Sequence, residues 1–245
     1  MTETNSAESQ ARRDLAAAHR LAVRDGLNEG AWNHLSVISP DDPEVMLITP
    51  GYTHWKMVTA SNLAAVYLDG TPVADGGAVP STAGWIIHFP VHKAIPQAKC
   101  LMHVHSPYIT ALSMREGVRL DTRSSQQAAQ FHDDVAYYDL YDGTLTDEVE
   151  GYHMAEVMGD KRILMMRNHG AMVAAPSVGR AYVDLYQLER ACMYQILATG
   201  DGHALTQIPT EIAGQMRAKA TAQHHEPYFD AMRAVLDAHE PDYAH

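Results

Sequence analysis

The chain has 245 residues, 46% of them apolar, and a formal net charge of −12. Such a length buries one sizeable core, so a single domain over 1–245 is expected, with a helical tail over about 205–245. The acid excess and the absence of a basic block argue against nucleic acid and anionic membranes as partners. The start is polar, and no run approaches the roughly eighteen apolar residues of a membrane span; neither signal peptide nor span is expected. Two cysteines, Cys100 in a strand pattern and Cys192 in a helix pattern, suit reduced thiols and a cytoplasmic protein.

In chain order, Glu8 to Asp25 has apolar residues at helical spacing and stops at Gly26. Leu35–Ser39 and Val45–Ile48 read as a strand pair around Pro40-Asp41-Asp42-Pro43. Ser61–Leu68 mixes helix and strand signals, and Trp85–Lys93 reads as a helix that Pro90 interrupts. A strand follows at Cys100–His105, then helices over Pro107–Arg115 and Ser124–Phe131, a strand over Val135–Leu140 and a helix over Asp147–Met158. Ile163–Arg167 and Ala171–Ala174 are strands flanking Asn168-His169-Gly170, and a long helix runs from Val178 to Thr199. Two tail helices are expected, about Thr210–Gln223 and Pro227–Ala238. Strands and helices mix without strict alternation, which predicts an α/β sandwich on a mostly antiparallel central sheet.

The chemistry concentrates in His103-Val104-His105. On a strand, alternate side chains share a face, so Leu101, His103 and His105 point one way and Cys100, Met102 and Val104 the other. Two imidazoles so placed sit roughly 6.5–7 Å apart at Cα and can grip one ion. His169, at the end of the next apolar run, is a third; three neutral imidazoles with an open position form the ligand set of a catalytic divalent metal. A lone strand histidine is more often a core or surface residue, and it is the pairing on one face that raises the metal reading. His88 and His92, four apart, form a rival pair that Pro90 weakens.

Four ordered segments carry a resemblance: Gly26 to Ser36 (GLNEGAWNHLS), Leu47-Ile48-Thr49-Pro50-Gly51, His103-Val104-His105 and Arg167-Asn168-His169-Gly170. Together they resemble the class II aldolase/adducin family, over about Ala11 to Thr199. Membership implies a three-layer α/β/α fold and one divalent ion (Zn, Mn or Fe) held by His103, His105 and His169. It also implies a small-molecule substrate and a homotetramer with active sites at subunit interfaces. The family spans aldolases, an epimerase, a dehydratase, decarboxylases, iron-dependent oxygenases and non-catalytic adducins.

The chain departs from the sugar-phosphate aldolases of that family. The glutamate they place nineteen residues before H-x-H falls here on Gly84, and the neighbouring serine pair is Thr82-Ala83. The phosphate-binding turn reads Asn33-His34, and Gly51-Tyr52 follows Thr49-Pro50. A glycine carries no proton, so the aldolase acid/base is missing, and the altered phosphate contacts point to an unphosphorylated substrate. His88 is the candidate replacement acid/base or a fourth ligand, and Tyr138 a second catalytic candidate. Asn33, His34 and Arg123 are candidate substrate contacts; Arg123, Tyr137 and Tyr138 flank a segment that approaches the neighbouring subunit in the family. Glu189 is expected to pair with an arginine, and Trp32, Trp55 and Trp85 suit core packing or an apolar substrate portion. The expected activity is a metal-dependent carbon–carbon lyase, by aldol cleavage or decarboxylation, on a small oxygenated acid or hydroxy-carbonyl compound. An iron oxygenase on the same histidines and a non-catalytic adducin-like module are the alternatives.

Overall fold

The computed structural model describes residues 6–140, 147–200, 202–222 and 226–245. Residues 1–5 and Gln223, the expected end of the first tail helix, lie outside them. Helix α1 (Ala7–Arg24) starts where the Ser6 side chain accepts the Ser9 N–H, satisfying one of the four donors a helix start leaves open. The sheet is built from β1 (His34–Ile38), β2 (Val45–Ile48), β3 (Ala64–Tyr67), β4 (Cys100–Val104), β5 (Val135–Tyr138), β6 (Ile163–Met166) and β7 (Gly170–Ala175). Its order is β3-β2-β1-β4-β7-β6-β5. Every pairing is antiparallel except β5 with β6. Ser61–Leu68, ambiguous in sequence, resolves as strand β3.

Helices cover both faces. Helix α3 (Pro107–Ser113), α4 (Gln126–Ala129), α6 (Val178–Ala198) and α8 (Glu226–His239) lie with α1 on one side. There Leu15, Leu21, Cys100, Met102, Val104, Leu185 and Phe229 share a core. Helix α2 (Thr82–Ala94) and α5 (Glu148–Met158) pack on the other, where Leu101 meets Ile87, Val91 and Met154. The strand alternation of β4 therefore splits its residues between two cores, as period two demands. Helix α7 (Thr210–Ala222) lies against α4. Among the described residues no helix is long and apolar enough to cross a membrane.

Three expectations change. Pro90 does not interrupt α2, which runs through it. A proline removes one N–H and leaves the carbonyl four residues back unbonded, here that of Ile86. Gly151 of α5 comes so close to that carbonyl that a Cβ would stand 2.3 Å from it, so helix packing covers the defect. The helix expected over Ser124–Phe131 shrinks to α4, capped by Ser125. The strand expected to reach His105 ends at Val104.

Candidate metal centre

His103 is the penultimate residue of the wholly buried β4, His105 follows just past the strand, and His169 stands in the turn between β6 and β7. Two residues shape that turn. Asn168 takes a left-handed φ of 54°, a conformation asparagine tolerates. Gly170 allows β7 to approach β4: a Cβ there would lie 2.2 Å from the Val104 carbonyl oxygen. The outcome is three ring nitrogens, one per histidine, all within 4.8 Å of one another.

The far side of each β4 ring is anchored. His103 Nδ1 donates to the Ala171 carbonyl at 3.1 Å, and His105 Nδ1 to Glu29 Oε2 at 2.8 Å. A carbonyl and a carboxylate only accept, so both Nδ1 atoms carry the proton and both Nε2 atoms present lone pairs. Those Nε2 atoms are 3.1 Å apart. With metal–nitrogen bonds of about 2.0–2.1 Å that separation subtends roughly 95–100° at one ion, within reach of tetrahedral or octahedral geometry. An anchor behind each ring is the usual companion of a metal-ligating histidine. Burial pushes the His103 imidazole well below its ordinary pKa, and that of His169 down to about 4, both helped by neighbouring imidazoles. Both shifts favour the neutral imidazoles that ligation requires.

Behind the three lies a second histidine group. His34 pairs with His103 across β1 and β4, and their rings stack at 5.2 Å and 28°. His34 Nδ1 is 3.3 Å from His88 Nε2; His88 Nδ1 is 2.5 Å from Ser36 Oγ; Ser36 Oγ is 2.7 Å from His92 Nε2; and His92 Nδ1 is 2.7 Å from the Ala98 carbonyl. Burial lowers all three imidazoles: His34 to about 3, His92 to about 4 and His88 well below its usual range. His88, a candidate fourth ligand or acid/base in sequence, is thus one ring removed from the centre, and His34 stands between. His88 and His92 do not converge on an ion of their own; both turn to Ser36.

The other candidates are dispersed. Arg123 bonds Thr210 Oγ1 at 3.0 Å, and its carbonyl accepts the Ile208 N–H, so it ties down the tail. Tyr138 is buried in the core beneath α2 and α5, and the Tyr137 hydroxyl accepts the Leu120 N–H. Neither Arg123 nor Tyr138 is bonded to the three histidines among the described residues. Glu189 has no arginine partner among the described residues; it accepts from Ser106 Oγ and from the Tyr108 and Ile109 N–H groups, capping the start of α3. Asn33 is buried at φ 73°, with both amide atoms unpartnered among the described residues. Trp55 is wholly buried, Trp32 is exposed against Tyr52, and Trp85 stacks on Phe89 and donates to Glu148. Sequence reasoning assigned no role to Glu29 or Ser36. The signal for Ser36 was its place two residues after His34 on the same strand face; Glu29 lies in a loop, and its meeting with His105, 76 residues on, has no local signature.

Comparison with known proteins supplies the family. Residues 13–196 match the Class II Aldolase and Adducin N-terminal domain. An adducin-related protein of Schizosaccharomyces pombe is 36% identical over 206 residues, covering 81% of this chain and 62% of that protein. Mouse alpha-adducin is 35% identical over 194 residues, 77% of this chain and 26% of its own. The chain therefore spans under two thirds of the length of both relatives. The crystal structure of an aldolase II superfamily protein from Pseudomonas syringae superposes with a TM-score of 0.89 at 30% identity, covering 99% of this chain and 98% of that one. With the family domain spanning most of its length and the three histidines gathered at one end of the sheet, the chain belongs to the class II aldolase/adducin family.

Proposed function

We propose that the protein is a metal-dependent carbon–carbon lyase acting on a small, unphosphorylated hydroxy-carbonyl compound or oxygenated acid. The observation that carries this is the orientation of the β4 histidines: each Nδ1 is committed to a protein acceptor, which leaves the Nε2 lone pairs 3.1 Å apart with His169 beside them. Members of the family are generally lyases, and its adducins allow a non-catalytic role.

His103, His105 and His169 would hold the ion, and Glu29 would orient His105. When bound, a divalent ion supplies Lewis-acid stabilisation of charge developing on a carbonyl or enolate oxygen. Aldol cleavage and decarboxylation both leave such an enolate, and decarboxylation starts without a base, which suits a chain with Gly84 in place of a glutamate. His34, stacked on His103, offers an Nε2 with no hydrogen-bond partner among the described residues. Asn33 offers an amide whose burial without partners costs about 1–3 kcal/mol, a cost that a ligand or a neighbouring subunit removes. We take the assembly to be a homotetramer with sites at its interfaces, in the cytoplasm, where two buried, unpaired cysteines stay reduced.

The test is metal analysis of purified protein, with a screen of 2-oxo acids, hydroxy acids and hydroxylated aromatic carboxylates. About one divalent ion per chain and metal-dependent cleavage of a carbon–carbon bond are expected. Absence of metal binding points to the adducin-like role, and oxygen consumption with iron present points to an oxygenase.

A further inference from the structure

The buried histidine group has a direction. Its inner end is fixed by the Ala98 carbonyl, which can only accept, so the proton of His92 sits on Nδ1. In a neutral imidazole that leaves His92 Nε2 as an acceptor, and its donor, 2.7 Å away, is the Ser36 hydroxyl. Ser36 has one proton to give. Having spent it on His92, its oxygen must accept from His88 Nδ1 at 2.5 Å. His88 Nε2 is then an acceptor, and His34 Nδ1 donates to it at 3.3 Å. The last ring is left with an unprotonated Nε2.

A cationic His88 or His92 would break this order, and His34 is itself buried with no carboxylate bonded to it among the described residues. His88 is wholly buried and His92 nearly so, and no carboxylate bonds either among the described residues. Charging an imidazole there without a counter-ion is strongly unfavourable. His34 Nε2 itself has no protein partner among the described residues and is absent from the buried, unsatisfied atoms, so it opens toward the site. The ring stacks on His103 and is not one of the three whose nitrogens converge, which places it beside the ion position.

We propose that Ser36, His88 and His92 act as positioning residues that lock His34 as a hydrogen-bond acceptor, so that the site selects ligands carrying a hydroxyl next to a carboxylate or carbonyl. A 2-hydroxy acid satisfies that nitrogen. The matching 2-oxo acid sets a carbonyl lone pair against it, and a phosphate monoester dianion, which has no proton to give, sets several. A site built around a substrate hydroxyl rejects an analogue lacking one far more strongly than an apolar pocket rejects a missing methylene. This inference rests on the metal-site reading for the ligand's position, while the tautomer order stands without it.

The experiment uses full-length protein with ¹⁵N-labelled histidine, metal-free and zinc-loaded, with two-bond proton–nitrogen NMR. His34 is expected to show a protonated Nδ1 and a bare Nε2 in both states. Ser36→Ala should leave its tautomer mixed, with His103 and His105 unaltered. A protonated His34 Nε2 in the unsubstituted protein overturns the proposal, whatever becomes of the variant. Calorimetric titration of zinc-loaded protein at mildly alkaline pH with D-lactate, L-lactate, pyruvate and methyl phosphate reads the selection. One lactate should bind about tenfold or more tightly than pyruvate or methyl phosphate, and Ser36→Ala should bring that ratio toward one without changing zinc affinity. Pyruvate binding as tightly as lactate, no lactate binding, or an unchanged ratio in the variant overturns the selection. Failure to bind zinc instead overturns the metal reading, and the metal-free spectra still decide the tautomer.

Discussion

Two groups of three imidazoles lie within one ring of each other and have opposite characters. In His103, His105 and His169 the known hydrogen bonds run outward, to Ala171 and Glu29, and lone pairs are left facing one another. In His34, His88 and His92 the nitrogens are spent on each other and on Ser36 and Ala98. The first group suits a cation; the second is a closed polar core with one open end. Histidine count is the same in both, so it is the bonding of the far nitrogen that separates a ligand set from a buried network.

The sharpest way to break this contrast is to remove one member of the first group. His103→Ala or His105→Ala should reduce bound metal from about one ion per chain to under about a tenth, measured by elemental analysis, with helical circular dichroism retained. Undiminished metal content would show that the ions bind elsewhere.

Acid should expose the second kind of histidine. His92 and the equally buried His19, which bonds the Leu15 carbonyl and Thr49, are held down at about 4, chiefly by burial. Between pH 6.5 and 4 the unfolded chain takes up protons at these positions and the folded chain does not. Stability should therefore fall with pH through that window, by a few kcal/mol, and level off below it. Melting temperatures at pH 7, 5.5 and 4.5, taken without metal, check the sign; a flat profile would mean that these rings charge freely in the fold.

His88→Ala separates the groups directly. It strips Ser36 and His34 of a partner in a buried setting and should cost about 2–3 kcal/mol by denaturant titration, while metal content stays near one ion. Loss of metal at unchanged stability would instead make His88 a ligand. Glu29→Gln probes the reverse: it weakens the anchor of His105 and should lower zinc affinity about 10–100-fold by competition with a chelator, with stability little changed.

The sequence made the first group legible and left the second nearly silent, for a physical reason. Strand periodicity puts His103 and His105 on one face, and the asparagine and glycine around His169 mark a tight turn; these are local signals. The His34–His88 and Ser36–His92 contacts span 54 and 56 residues and exist only because α2 lies across β1. Nothing in either segment alone announces the other. The same holds for Glu189, whose cap on α3 joins residues about 80 apart, and for Pro90, tolerated because Gly151 of another helix covers the carbonyl it frees. Most strands and helices were readable from pattern and punctuation, with β3 fixed only by its pairing to β2.

The smallest effect tests how closely the two groups are coupled. A Cβ added at Gly84 would stand 3.2 Å from His34 Cδ2 and from Ser81 Oγ, so the His34 ring fills the room that a side chain at this position would take. Gly84→Glu would accordingly displace His34 and does more than add a carboxylate to an intact site. Gly84→Ala asks for a shift of only a few tenths of an ångström. Because His34 stands beside the candidate ion position and the His103 and His105 rings keep their own anchors, zinc affinity in Gly84→Ala should change by less than about threefold. The Ala side chain sits in the first turn of α2, capped by Ser81, where it favours helix over glycine by up to about 1 kcal/mol and offsets the crowding. Near-constant zinc affinity with altered His34 chemical shifts would show that the two groups meet only through ring stacking. A loss of zinc comparable to that of Glu29→Gln would make His34 part of the ligand set and dissolve the distinction between them.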